Sequence, residues 1–265
     1  MTRQQWICAR TPASRGVLRF LAAVATATVV LGSGPGGPLA RAATFTVDPT
    51  QIFLFNRTGS VLLTLHNEST ETLSFQLSVF AWAQSNSGEM QLQPTQDIVF
   101  YPPLLTLKPS ETRRVRVATA TNFDPAREKT YRLFVEELPP TDTPKGVRVL
   151  TKMGIPIFMR PAKEVATASL TDVRQQDGML KFTLANVGTV HVVPRSVKVR
   201  GFAGSAAAFE KDLDSWYVLA GGRRDFEMAL PKSGCAKVTS IAVDVEFESG
   251  QVQEQLLTPS GACPR

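Results

Sequence analysis

The chain has 265 residues, of which 43% are hydrophobic and 20% charged; this is the composition of a globular protein and not of a disordered one. The formal net charge is +6, but five Arg (Arg3, Arg10, Arg15, Arg19 and Arg41) precede residue 43. The remainder holds 24 bases against 23 acids, so it lacks the clustered positive charge that binding nucleic acid requires.

The first elements read as an export leader. Four Arg form a basic start, and residues 20–31 are apolar and too short to span a bilayer comfortably. Gly and Pro follow, and Ala40-Arg41-Ala42 places small residues where a signal peptidase reads. A secretory signal over residues 1–42 is expected, against the alternative of an uncleaved anchor. Cys8 leaves with it. Cys235 and Cys263 remain as an even pair in an exported chain, for which a disulfide is the default and two separate thiols the alternative.

About 223 residues then suggest two domains of roughly 110 each. Short β-rich pieces flank Pro49. Residues 60–66 and 73–82 alternate, and polar turns separate them. Residues 97–101 and 104–107 flank Pro102-Pro103, and residues 113–117 follow a Lys-Pro-Ser-Glu turn. Next comes Glu128 with an interior-type strand to Leu138, a polar turn, and an alternating run from Val147 to Pro161. The second half repeats the rhythm over residues 166–173, 179–186, 191–200, 223–230, 238–247 and 251–257, with Asp177-Gly178 and Ser249-Gly250 as hairpin turns. Residues 201–214 read as a loop or a short edge strand. No long segment outside the leader has helical periodicity, so the fold class is all-β, with sandwiches. Two domains are expected, over residues 43–160 and 161–265.

Catalytic and cofactor signatures are missing from the sequence. His66 and His191 lie within strand patterns and read as structural. There is no nucleophile elbow, zinc-protease helix motif or phosphate loop, and two Cys alone make no structural zinc site. Adjacent Glu136 and Glu137 point to opposite faces of a strand and cannot flank one bond. No enzyme activity, metal, cofactor or small-molecule substrate is expected.

Val147, Val149, Thr151, Met153 and Ile155 share one face at period two, with Arg148, Leu150 and Lys152 on the other. Periodicity alone leaves two readings open. The strand closes its own core, or it is offered to another protein by strand addition.

Residues 92–161 resemble the periplasmic chaperones of the chaperone–usher pilus pathway. The resemblance is carried by Leu92-Gln93-Pro94-Thr95, by Phe100 to Pro109 followed by Val115-Arg116-Val117, by Glu128 with Val135-Glu136-Glu137-Leu138-Pro139, and by Pro156-Ile157-Phe158-Met159-Arg160-Pro161. It implies two immunoglobulin-like β-sandwiches with a cleft between them. It implies a donor strand (Val147, Val149, Thr151, Met153, Ile155) lent to pilus subunits that lack their last strand, and delivery of those subunits to an outer-membrane usher. Self-association of the free protein would cover the open edge. The better-known branch anchors the subunit's terminal carboxylate with two basic residues; the matching positions here are Gln51 and Pro156, and the motifs look more like the archaic branch. Arg132, then Lys152, are the substitute anchors. Arg116, Glu128, Arg160 and Glu248 match charged positions that bridge the domains. The competing function is a secreted β-sandwich adhesion or binding module without chaperone activity.

Overall fold

The computed structural model describes residues 44–55, 59–120, 125–140, 147–232, 237–250 and 252–258. The expected leader, Cys235 and Cys263 lie outside the described residues.

Ten strands build the N-terminal sandwich: β1 (Phe45–Asp48), β2 (Ile52–Leu54), β3 (Ser60–Asn67), β4 (Leu73–Gln84), β5 (Met90–Pro94), β6 (Ile98–Tyr101), β7 (Leu104–Leu107), β8 (Thr112–Thr119), β9 (Lys129–Leu138) and β10 (Lys152–Met159). One sheet runs β1-β3-β8-β6; the other runs β2-β10-β9-β4-β5, with β7 also on β4. Two of the places where the chain changes sheet carry proline, Pro49 between β1 and β2 and Pro102-Pro103 between β6 and β7. Inward residues of both sheets, among them Leu63, Phe75, Val115, Leu133 and Ile157, make one core, as period-two alternation requires.

The C-terminal sandwich has β11 (Ala168–Gln176), β12 (Met179–Asn186), β13 (Pro194–Ala203), β14 (Ala206–Leu213), β15 (Arg223–Ala229), β16 (Ser240–Phe247) and β17 (Val252–Leu257). Its sheets run β11-β12-β15 and β14-β13-β16-β17 around Phe182, Leu184, Val199 and Val243. Asp177 and Gly178 both take positive φ, 51° and 75°, as a two-residue hairpin requires. No α-helix occurs among the described residues, so the fold is all-β.

Of the loop and the short edge strand expected over residues 201–214, the structure has the edge strand, and it is eight residues long. These residues hold a β-hairpin whose second arm, β14, pairs along β13 from Leu213 to Ala206. As an edge strand β14 is solvated on nearly every residue, so Ala206-Ala207-Ala208 carries no alternation to read. β5 shows no alternation in the sequence for the same reason, being exposed throughout.

Candidate functional site

Strand β10 is paired on one side by β9 from Lys152↔Glu136 to Met159↔Lys129. On the other side β2 covers only Ile157, Phe158 and Met159. Lys152 to Pro156 therefore form an open sheet edge among the described residues. The Glu137 N–H donates to the Thr151 carbonyl, and the Arg160 N–H donates to the Leu54 carbonyl. By alternation, the even-numbered backbone groups of β10 point outward from β9. Pro156 lacks its N–H on that outer side and costs the sheet no ladder bond, which is where an edge tolerates proline. Lys152 and Gly154 offer free backbone groups there.

The donor residues divide. Val147 is 79% exposed and Val149 52%, while Thr151 is half-buried. Met153 packs against the N-terminal core and Ile155, 1% exposed, is part of it. The expected ribbon over residues 147–155 is thus corrected: β10 starts at Lys152, and Ile155 closes its own domain. Upstream, Arg148 does not simply face away from Val147 and Val149. It turns to Glu137, which registers with core-facing Phe75, and to Glu71.

The outer face of β9 and β10 leads from this edge to Arg132. Arg132 registers with Pro156 on β10 and with Phe80 on β4. Between the edge and Arg132, the Phe134 ring leans over Gly154, where a Cβ would stand 3.1 Å from Phe134 Cε1. Arg132 is 8% exposed, and its Nε is enclosed without a hydrogen-bond partner. Its Cζ lies 4.6 Å from the Trp82 ring and 5.3 Å from the Trp216 ring. No carboxylate pairs with it among the described residues. Burial pulls its pKa below the usual guanidinium value, and the nearby Tyr217 opposes that. Lys152, the other anchor candidate, already holds Glu136 at 2.8 Å and lies over Phe134. An enclosed cation lacking an anion is the stronger anion seat.

The charged bridge between the sandwiches centres on Glu128, with Arg160 as the one expected partner beside it and His191 as an unexpected one. Glu128 Oε1 accepts from the His191 backbone N–H at 3.0 Å and lies 2.7 Å from His191 Nδ1. Arg160 Nε stands 4.0 Å from Oε2, an ion pair without a hydrogen bond. Arg116 is elsewhere: it donates to Ser60 Oγ on the outer face of β8, opposite Leu62 and Tyr101. Glu248 makes no ion pair among the described residues; its charge acts on Tyr217. Sequence reading missed His191, whose Val-His-Val setting looks like plain strand and whose partner lies 63 positions away. It also missed the aromatic junction of Trp82, Phe158 and Leu219 with Phe53, Trp216 and Tyr217. The Trp216-Tyr217 pair, just beyond a stretch without strand pattern, was the available signal. Gln51, at an anchor position of the better-known branch, donates to the Tyr217 hydroxyl at 2.9 Å.

Residues 44–164 match the family model described as pili and flagellar-assembly chaperone, PapD N-terminal domain. Among solved structures, the chaperone–tip adhesion subunit complex CsuC–CsuE from archaic Csu pili of Acinetobacter baumannii contains a chain similar to this one. Its TM-score is 0.55 at 22% identity, over 83% of this chain and 100% of that one. The class 5 fimbriae chaperone CfaA gives 0.55 at 14% identity, over 82% and 100%. The CupB2 chaperone of Pseudomonas aeruginosa gives 0.51 at 14%, over 81% and 100%. Comparison with curated proteins finds no match. At these identities the solved structures define the fold, and the family model defines the N-terminal sandwich. Residues 44–164 are thus similar to the N-terminal domain of the pili and flagellar-assembly chaperones, and the chain as a whole shares the fold of the solved chaperones.

Proposed function

We propose that this protein is a chaperone that is exported to the periplasm, captures pilus subunits by strand donation and passes them to an outer-membrane usher. A subunit lacking its last strand has an apolar groove and unpaired edges that invite aggregation. The open edge of β10 supplies backbone pairing, and Val147 and Val149 supply apolar side chains upstream, with Thr151 after them and Met153 at the limit. The single observation that carries the reading is that this edge runs to Arg132, an enclosed cation with no acid of its own among the described residues. A subunit's terminal carboxylate fits that seat, and Arg can grip it with two hydrogen bonds.

The archaic branch is supported by Gln51 and Pro156 standing where the better-known branch carries basic residues, with the cation on β9 instead. Delivery needs a second surface. Leu62, Val99 and Tyr101 are exposed around Arg116, an apolar patch of the kind that marks protein contacts, and we assign usher docking there.

The test is co-expression with candidate subunits in an exporting host. The wild type co-purifies with its subunit, and Arg132→Ala loses most of it at an unchanged melting temperature. Full capture by Arg132→Ala would remove the anchor.

A further inference from the structure

The geometry points to the C-terminal domain as a working part of the anion seat, with Trp216 as the positioning residue for Arg132. This rests on reading Arg132 as the carboxylate anchor. Arg132 belongs to the N-terminal sandwich, yet only one wall of its seat does. Trp82 comes from β4; Trp216 comes from the segment between β14 and β15. The two indoles stand 5.2 Å apart at 35°, and the guanidinium lies against both.

Hydrogen bonds do not orient this guanidinium, since it makes none among the described residues and its Nε is enclosed. The rings fix its plane instead. A carboxylate held by two parallel bonds needs the fork presented in one orientation. The segment carrying Trp216 is itself tied to both sandwiches. Ser215 Oγ donates to the Pro194 carbonyl at 3.0 Å. Gln84 Nε2 donates to the Tyr217 carbonyl at 2.7 Å, and Gln51 holds the Tyr217 hydroxyl. The seat is therefore complete only when the two domains are docked. By reciprocity, a carboxylate in the seat strengthens that docking.

The test uses a synthetic peptide of alternating Val and Thr, about ten residues long, made with a free C-terminal carboxylate and as the C-terminal amide. The readout is the ratio of the two affinities for the full exported chain, because strand pairing is common to both peptides. Trp216→Leu fills space without a π face and should lower the ratio by roughly threefold to thirtyfold, the range of a desolvated cation–π contact. Trp216→Phe should restore most of it. Arg132→Gln should bring the ratio to about one. If Arg132→Gln does so while Trp216→Leu keeps the wild-type ratio, the positioning role is wrong and the anchor stands. If Arg132→Gln leaves the ratio intact, the anchor is wrong and this inference falls with it. The wild type gives an independent reading should Trp216→Leu not fold. Once the leader with Trp6 is removed, Trp82 and Trp216 are the chain's two tryptophans. The carboxylate peptide, and not the amide, should change their fluorescence; equal responses overturn the proposal.

Discussion

Arg148 Nη2 lies 3.3 Å from Glu137 Oε1, and that carboxylate faces the core of its own sandwich. Glu137 Oε2 also accepts from the Thr151 N–H at 3.2 Å, and Arg148 Nη1 reaches Glu71 at 2.9 Å. These contacts seat the start of the donor segment on its own domain. The Glu71 bond, ahead of the Glu137 bond, raises the Arg148 pKa against its partial burial. Arg148→Met should leave an enclosed carboxylate without its cation. Losing a partner of a fully buried pair costs about 3–5 kcal/mol. Arg148 keeps 24% of its side chain in water, so a smaller loss of about 2 kcal/mol is expected. Urea denaturation measures it. Adding Glu137→Leu should recover much of the loss, and no recovery would show that the pair is not the cause.

Val149 and Ile155 share a strand parity but should fail in different ways. Val149→Asp places a charge on an exposed position, so the melting temperature should hold while subunit capture is lost. Ile155→Asp puts a carboxylate into the N-terminal core and should unfold that sandwich, since even Ile→Ala in a core costs about 2–5 kcal/mol. Thermal melts and co-purification, run side by side, separate them. A folded Ile155→Asp protein, or a Val149→Asp protein that still captures subunits, would contradict this division.

The strands themselves were legible because half-buried strands alternate: Leu63, Leu65, Phe75 and Leu77 announce their faces. Exposed β5 and β14 carry no such signal. The donor run was legible as a period, but period two cannot tell Val149 from Ile155. That difference comes from the far side of β10, where β2 covers Ile157 to Met159 and stops. Arg132 could be named from its strand, whereas its Trp216 wall required the fold. Both domains also end a strand on a buried Asn. Asn67 donates to the Glu71, Leu107 and Lys108 carbonyls, and Asn186 to those of Val190 and Val218. That likeness of the two halves lies in hydrogen bonding and leaves no repeat in the sequence.

Glu128→Ala should loosen the two sandwiches without unfolding either. The side chain accepts from the His191 backbone and faces its ring, and removing it leaves enclosed donors unpaired at about 1–3 kcal/mol each. His191 also stacks on Phe158 with centroids 3.9 Å apart, so the ring would lose the carboxylate that orients it there. Calorimetry should show one transition splitting into two, with β-sheet circular dichroism unchanged. A single transition at the wild-type temperature would show that the aromatic junction suffices.

Tyr131 should make the protein alkali-sensitive. Its ring is enclosed in the N-terminal core, and its hydroxyl donates to Asp97 Oδ2 at 2.8 Å. Burial first, then the hydrogen bond and charge of Asp97, push its pKa far above the usual tyrosine value. The unfolded chain releases this proton near pH 10, whereas the folded chain retains it. The stabilisation is therefore fully present below about pH 10 and is lost as pH rises beyond it, at up to about 1.4 kcal/mol per pH unit. Tyr131→Phe should be less stable at pH 8, through loss of the bond to Asp97, and should lose less on going to pH 11. The two stability curves, measured by urea denaturation, should converge with rising pH. Curves that stay parallel would mean that Tyr131 ionises equally well in both states.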